Sequence, residues 1–192
     1  MKIFSGPAKK TRQCIMDSLV ILMEDNEFSK IATVDIISKS DVSKSTFYKY
    51  FLDKYDLVEQ MLDEFHTQLS QLFHQAHETG STRMFYHSFS QYLNRNYERI
   101  RCIFKTKDEN IDLKIKFQQL IKQDYLTFGG NRELDAEYFA LTSQWSMDYL
   151  LTQNRFITDD DIQEIDHKIN FSSLLNLQKG QALAATQLSL AK

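Results

Sequence analysis

The sequence predicts an all-α fold, and three observations carry that prediction. Turn-forming punctuation is scarce, with one proline and five glycines in 192 residues, too few for the many tight turns of a β architecture. Apolar residues recur every three or four positions along segments of helical length. Residues suited to helix caps stand where several of those segments begin.

Residues 1–7 read as a short lead ending in Gly6 and Pro7. From Ala8 to about Glu24, the residues Ile15, Leu19, Leu22 and Met23 give the apolar face of a first helix. Asp25, Asn26 and Glu27 break the pattern, and Phe28 and Ile31 plug the core from a connector. Thr33 is placed to cap a short helix carrying Val34, Ile36 and Ile37. Ser40, Asp41 and Val42 then make a tight turn. Ser43 caps the next short helix, with Val42 and Phe47 as its hydrophobic staple. Asp53 caps the one after, with Leu52 and Leu57 in the same arrangement.

A long helix follows from Lys54 to about Thr79, its stripe running from Leu57 through Met61 and Phe65 to Leu72 and Phe73, and Gly80 ends it. Further helices are predicted over roughly 82–104, 109–128, 133–153 and 159–170, with Thr158 and Asp159 as capping candidates of the last. Gly129 and Gly130 separate two of them. Residues 171–192, rich in Ala, Leu, Gln and Ser, read as a partly helical or frayed tail.

Charge narrows the function. The chain carries a formal net charge of −3, which argues against a nucleic-acid coat. The balance is uneven: residues 1–50 hold eight Lys or Arg against six Asp or Glu, and the remainder holds 15 against 20. A local basic footprint is therefore expected on the first part only. Cys14 and Cys102 have no scaffold or zinc spacing and read as buried, reduced, apolar-like thiols. With no apolar run near the roughly 18 residues of a spanning helix, the chain reads as a soluble cytoplasmic protein with no membrane partner.

The stretch from Ile31 to Leu57 carries the chemistry. Two short helices joined by a three-residue turn make a helix-turn-helix, whose second helix can enter a major groove. Projected at about 100° per residue, Phe47, Tyr50 and Phe51 fall on one side of that helix. Lys44, Ser45, Tyr48 and Lys49 fall on the other, with Thr46 at the boundary. Cations, hydroxyls and a phenol suit phosphates and base edges. Lys54 stands in the first turn of the long helix, where a cation opposes the helix dipole. A phosphate held there by amides and ammonium together would account for it; a solvated lysine is the plainer alternative.

The run Thr33-Val34-x-Ile36, then Val42-Ser43-Lys44-x-Thr46-Phe47-Tyr48-x-Tyr50-Phe51-x-x-Lys54-x-x-Leu57, resembles the DNA-binding signature of the TetR family of transcriptional regulators. The resemblance covers about residues 8–60. It implies a helix-turn-helix domain over 8–53, a helical effector-binding and dimerisation domain over 54–170, and a tail over 171–192. It implies phosphate contacts by Thr33, Tyr48 and Lys54 and recognition contacts by Lys44, Ser45, Thr46 and Lys49, with Ser43 at the same helix end. Two positions depart from the pattern. Asp41 stands where glycine is usual, and Ile37 replaces a common small residue. The Lys54-Tyr55-Asp56-Leu57 run resembles a subgroup that includes regulators of dihydroxyacetone utilisation, some of which work through protein partners.

The implied function is a homodimeric repressor on double-stranded operator DNA, released by a small-molecule effector. The alternative is a regulator or co-activator controlled by a protein partner. Tyr86, Phe89, Phe117, Trp145 and Tyr149 are the candidate lining of an effector pocket, which their phenols and indole would suit to an apolar or aromatic molecule. Leu141, Trp145, Met147, Leu150, Leu151, Ile162, Ile165 and Ile169 supply candidate dimer surface. His74 and His77 suggest at most half a metal site, so no metal or cofactor is assigned. No nucleophile elbow, phosphate-cradling glycine loop or paired-histidine motif suggests an enzyme.

Overall fold

Residues 6–127 and 132–169 are described in the structure, a computed structural model; the side chain of His77 is not. The expected tail 171–192, the Gly129-Gly130 break and the first five residues of the lead lie outside the described residues, as does the side-chain role considered for His77. Among the described residues there are α-helices, one 3-10 turn and no strand. The helices are α1 (Gly6–Asp25), α2 (Thr33–Lys39), α3 (Lys44–Tyr50), α4 (Lys54–Thr79), α5 (Thr82–Arg95), α6 (Tyr97–Lys105), α7 (Leu113–Thr127), α8 (Glu133–Thr152) and α9 (Asp159–Ile169). The 3-10 turn, Phe28–Lys30, joins α1 to α2. None of these helices is long and apolar enough to cross a membrane.

The chain divides into two compact units. Among the described residues, the first comprises 6–65 with 98–113, the second 66–97 with 114–127 and 132–169, and the division falls inside α4 between Phe65 and His66. In the first unit, Ile15, Met16 and Leu19 of α1, Ile36 of α2, Phe47 of α3 and Leu57, Val58 and Phe65 of α4 are buried. Ile100, Ile103 and Phe104 of α6 belong to the same unit, and Phe104 meets Phe65 edge to face at 6.2 Å. Each such side chain contributes about 1.5–3 kcal/mol by leaving water. In the second unit, α5 packs on α9 and α8 packs on α9.

Local chemistry sets the helix ends. Ser43 Oγ accepts the amide of Thr46 at 3.1 Å and starts α3 as expected. Asp53 Oδ1 accepts the amides of Tyr55 and Asp56 at 2.8 Å, while Asp56 Oδ2 accepts that of Leu52 at 2.7 Å. Gly80 closes α4 with φ 67°. Asp41 adopts φ 50° in the turn between α2 and α3, the left-handed region that Asp tolerates better than most residues. Thr158 Oγ1 accepts the amide of Asp161, whose carboxylate in turn accepts the Thr158 amide at 2.8 Å, a reciprocal cap for α9.

Several expectations need correction. Gly6 and Pro7 belong to the first turn of α1 rather than to a lead; Pro is well suited to a position whose amide has no helical acceptor. The cap of α2 is Ala32, not Thr33, because the Asp35 carboxylate reaches back to the Ala32 amide at 2.8 Å. The segment 82–104 is two helices. Asn96 interrupts it, its amide bonding the carbonyls of Tyr92 and Leu93 and its side chain the carbonyl of Tyr92. Helix α7 starts at Leu113 because Asp108 folds the preceding residues into a turn, accepting the amides of Asn110 and Ile111. Leu52 is 77% exposed and forms no staple. Cys14 is exposed, its thiol turned toward the Ser40 carbonyl, whereas Cys102 is buried beside Met23.

Candidate nucleic-acid interface

Helix α3 is held from beneath by two aromatic rings. Phe47 is wholly buried and Phe51, just past the helix end, is nearly so, with ring centres 5.7 Å apart. The Arg12 guanidinium lies over Phe51 at 5.3 Å and bonds Glu64 and Gln60 of α4. Gln60 also donates to the Tyr50 carbonyl at 3.2 Å. These contacts tie α1 and α4 to the end of α3 and fix which side of the helix faces out. Tyr50 is half-buried.

The outward side carries Lys44, Ser45, Tyr48 and Lys49, all exposed, with Thr46 half-buried. At the helix start the hydroxyl of Ser43 lies 2.9 Å from that of Ser45 and 2.8 Å from that of Thr46. Rotatable hydroxyls clustered there can donate or accept as a base edge demands. Tyr48 is 53% exposed and rests edge-on against Phe47 at 5.5 Å, so its phenol is aimed outward from a fixed ring. Lys49 Nζ sits 5.6 Å above the Tyr50 ring. Thr33, half-buried in the first turn of α2, shares that turn with Asp35.

Lys54 is placed differently from the other candidate residues. Its side chain is turned inward, and the residue is only 8% exposed. Its ammonium donates to the Phe28 carbonyl at 2.9 Å and lies 3.5 Å from that of Ser29. It stands 4.4 Å from the centre of the Phe28 ring, 5.2 Å from that of Tyr55, and 4.0 Å from the Asp108 carboxylate. Two of the first-turn amides that a phosphate would use, those of Tyr55 and Asp56, are already taken by Asp53. Sequence reasoning missed this arrangement because Phe28 and Asp108 are remote in the chain, and neither residue type announces a lysine partner.

The second unit contains an apolar cavity of about 40 Å³. Phe89 and Phe117 line it, together with Leu69, Phe85, Met147 and Ile162. Tyr86 is buried and donates its hydroxyl to Asp166, whose side chain is among those around the cavity. Burial, and then this bond to a carboxylate, push the Tyr86 phenol up to about 12. Trp145 and Tyr149 do not line the cavity. They stack on each other at 5.7 Å and are 53% and 43% exposed. Both sit on the outward side of α8, where the local spacing gave no means of telling inward from outward rings. Ser143, Ser146 and Asp166 are polar lining residues that the reading missed, and the Ser143 hydroxyl is buried at the cavity without a hydrogen-bond partner.

Sequence comparison gives no parallel: no protein-family model matches the chain, and no curated protein matches it. Solved structures do. A TetR-family transcriptional regulator of Syntrophomonas wolfei is similar with a TM-score of 0.61 and 18% identity, over 91% of this chain and 96% of that one. A TetR transcriptional regulator of Streptococcus agalactiae 2603V gives 0.57 and 17%, over 90% and 95%. The dihydroxyacetone kinase operon activator DhaS gives 0.50 and 15%, over 89% and 95%. The chain therefore has the fold of the TetR regulators along nearly its whole length, as the resemblance of residues 8–60 implied.

Proposed function

We propose that the chain is a transcriptional regulator that binds double-stranded operator DNA as a homodimer. The observation that carries this reading is the division of α3, with Phe47 in the core while Lys44, Ser45, Tyr48 and Lys49 face solvent. An aromatic seat beneath and cations, hydroxyls and a phenol above is the arrangement a major-groove helix needs. In this proposal Tyr48 and Thr33 contact phosphates, and Lys44, Ser45, Thr46 and Lys49 read base edges or adjoining phosphates, with Ser43 holding the helix start. The test is a binding measurement on the DNA upstream of the chain's own gene. Replacing Lys44 with Ala together with Tyr48 with Phe should weaken binding severely while leaving the thermal unfolding midpoint unchanged. Undiminished binding would sink the mapping.

The dimer reading is supported by α8. Leu134, Tyr138, Leu141, Trp145 and Tyr149 are all more than two-fifths exposed and follow one another at spacings of three or four, so they form one continuous apolar stripe. Such a stripe belongs against a second copy. Met147, Leu150, Leu151 and Ile162, candidates for the dimer surface by sequence, are buried within their own chain. We further propose that the protein is a repressor released from its operator when a small apolar or aromatic effector binds at the cavity of the second unit. The competing reading is control by a protein partner. A thermal-shift screen of small aromatic and aliphatic compounds separates the two: a specific hit that also releases DNA supports the effector reading.

A further inference from the structure

Lys54 is a buried cation whose surroundings come from three parts of the first unit. The carbonyls of Phe28 and Ser29 belong to the 3-10 turn that leads into α2. The Asp108 carboxylate belongs to the loop between α6 and α7. That carboxylate is itself fixed: it accepts the Tyr55 hydroxyl at 3.1 Å and the amides of Asn110 and Ile111, and its side chain is 5% exposed. Asn110 closes the ring by donating to the Tyr55 hydroxyl at 3.1 Å. Phe28 and Tyr55 meet edge to face at 5.6 Å, which walls the ammonium from water. Removing such a cation from its acceptors to reach a phosphate would leave a buried carboxylate facing no positive charge.

We propose that Lys54 and Asp108 are positioning residues of the DNA-binding face: the inward ammonium joins the entry of α2, the start of α4 and the loop at 106–112, and takes no phosphate itself. This rests on the DNA-binding reading above. The consequence is that the loop at 106–112, which lies outside the helix-turn-helix in sequence, governs where that motif sits. Asp108 thereby offers a handle on DNA affinity from outside the helix-turn-helix.

Two measurements test it, chosen so that they fail separately. The first needs no DNA. In Asp108→Asn, hydrogen exchange should quicken at the Ile31 amide, which bonds the same Phe28 carbonyl, while amides in the middle of α1 keep their protection. Unchanged exchange at Ile31 would overturn the proposal whether or not the chain binds DNA. The second measures binding to a mixed-sequence duplex three helical turns long as salt is varied. Each lost phosphate contact lowers the slope of log affinity against log salt by about 0.9. Lys44→Met should flatten the slope, whereas Lys54→Met and Asp108→Asn should lower affinity about tenfold with the slope unchanged. The double variant Lys54→Met with Asp108→Asn should be no weaker than either single one, and Lys54→Arg should recover most of the affinity. A slope flattened by Lys54→Met as much as by Lys44→Met would place the ammonium on a phosphate and overturn the proposal. If Lys54→Met does not fold, Asp108→Asn alone decides. Absence of any duplex binding by the unaltered protein at low salt would instead refute the DNA-binding reading, leaving the exchange result to judge the link.

Discussion

Tyr48 and Cys102 illustrate how much a single position decides. Tyr48 has its ring held by Phe47 and its hydroxyl free to face a ligand, so Tyr48→Phe should cost only the hydrogen bond, about 1–1.5 kcal/mol of binding, or roughly tenfold in affinity. Tyr48→Ala should lose more, because the ring's packing goes too. Titration of the duplex with each variant checks the order. Cys102 lies in apolar surroundings that push its thiol up to about 12, chiefly through burial, whereas Cys14 is exposed. A thiolate-selective reagent at neutral pH should therefore label one equivalent, at Cys14, in the native protein and two after unfolding. Two rapid native equivalents would contradict the burial of Cys102. The sequence reading put both cysteines inside, since a lone cysteine on a helix gives no sign of its facing. The outward set Lys44, Ser45, Tyr48 and Lys49 was legible because two bulky rings, Phe47 and Phe51, fixed the phase of a short helix. Lys54 was not legible: its burial depends on Phe28 and Asp108, brought near by tertiary folding.

Elements were predictable where capping chemistry is local. The starts of α3 and α4 follow from Ser43 and Asp53, and the end of α4 from Gly80. The break at Asn96 was missed because the apolar spacing continues through it, while the backbone at Asn96 leaves helical geometry with its amide and side chain both on the Tyr92 carbonyl. Helix α9 allows an acid test. Its Asp161 carboxyl is held well below the usual range, first by the Arg155 guanidinium and also by Thr158. A carboxyl depressed on folding contributes stability that is fully present above its unfolded value near 4 and is lost as pH falls toward the folded value. Asp161→Asn should thus destabilise the protein by about 1 kcal/mol at neutral pH, as a lost cap does, and the difference from the unaltered protein should shrink below about pH 4. Denaturant melts at two pH values decide this; a difference independent of pH would refute it. On α8, Trp145→Glu places a charge on the outward stripe without touching the buried Met147 and Leu150. Sedimentation should show this variant as a folded monomer where the unaltered chain sediments as a dimer. A variant that remains dimeric would move the interface elsewhere.

At the scale of the whole molecule, the charge distribution sets what DNA binding can look like. The chain is net negative, yet residues 1–50 hold a surplus of two positive charges and the rest a deficit of five. Long-range attraction is therefore weak, and affinity has to come from cations at the contact itself. On the proposed footprint these are Lys44 and Lys49, which makes four ammonium groups in a dimer once Lys54 is assigned to the interior. Four phosphate contacts predict a slope of log affinity against log salt of about −3.6. A slope near −5.4 would mean that two further cations take part, with Lys54 of each protomer the first to suspect. Geometry supplies the second constraint. Two copies of α3 related by a dimer axis must enter successive major grooves on one face of the duplex, about 34–36 Å apart. Inserting about five base pairs between the half-sites turns one of them to the opposite face. Binding of the dimer should then fall to the level of a single half-site, while inserting a full turn of about ten should restore the facing without restoring the distance. A chain that tolerates both insertions equally would bind as independent monomers, and the apolar stripe on α8 would then need another occupant.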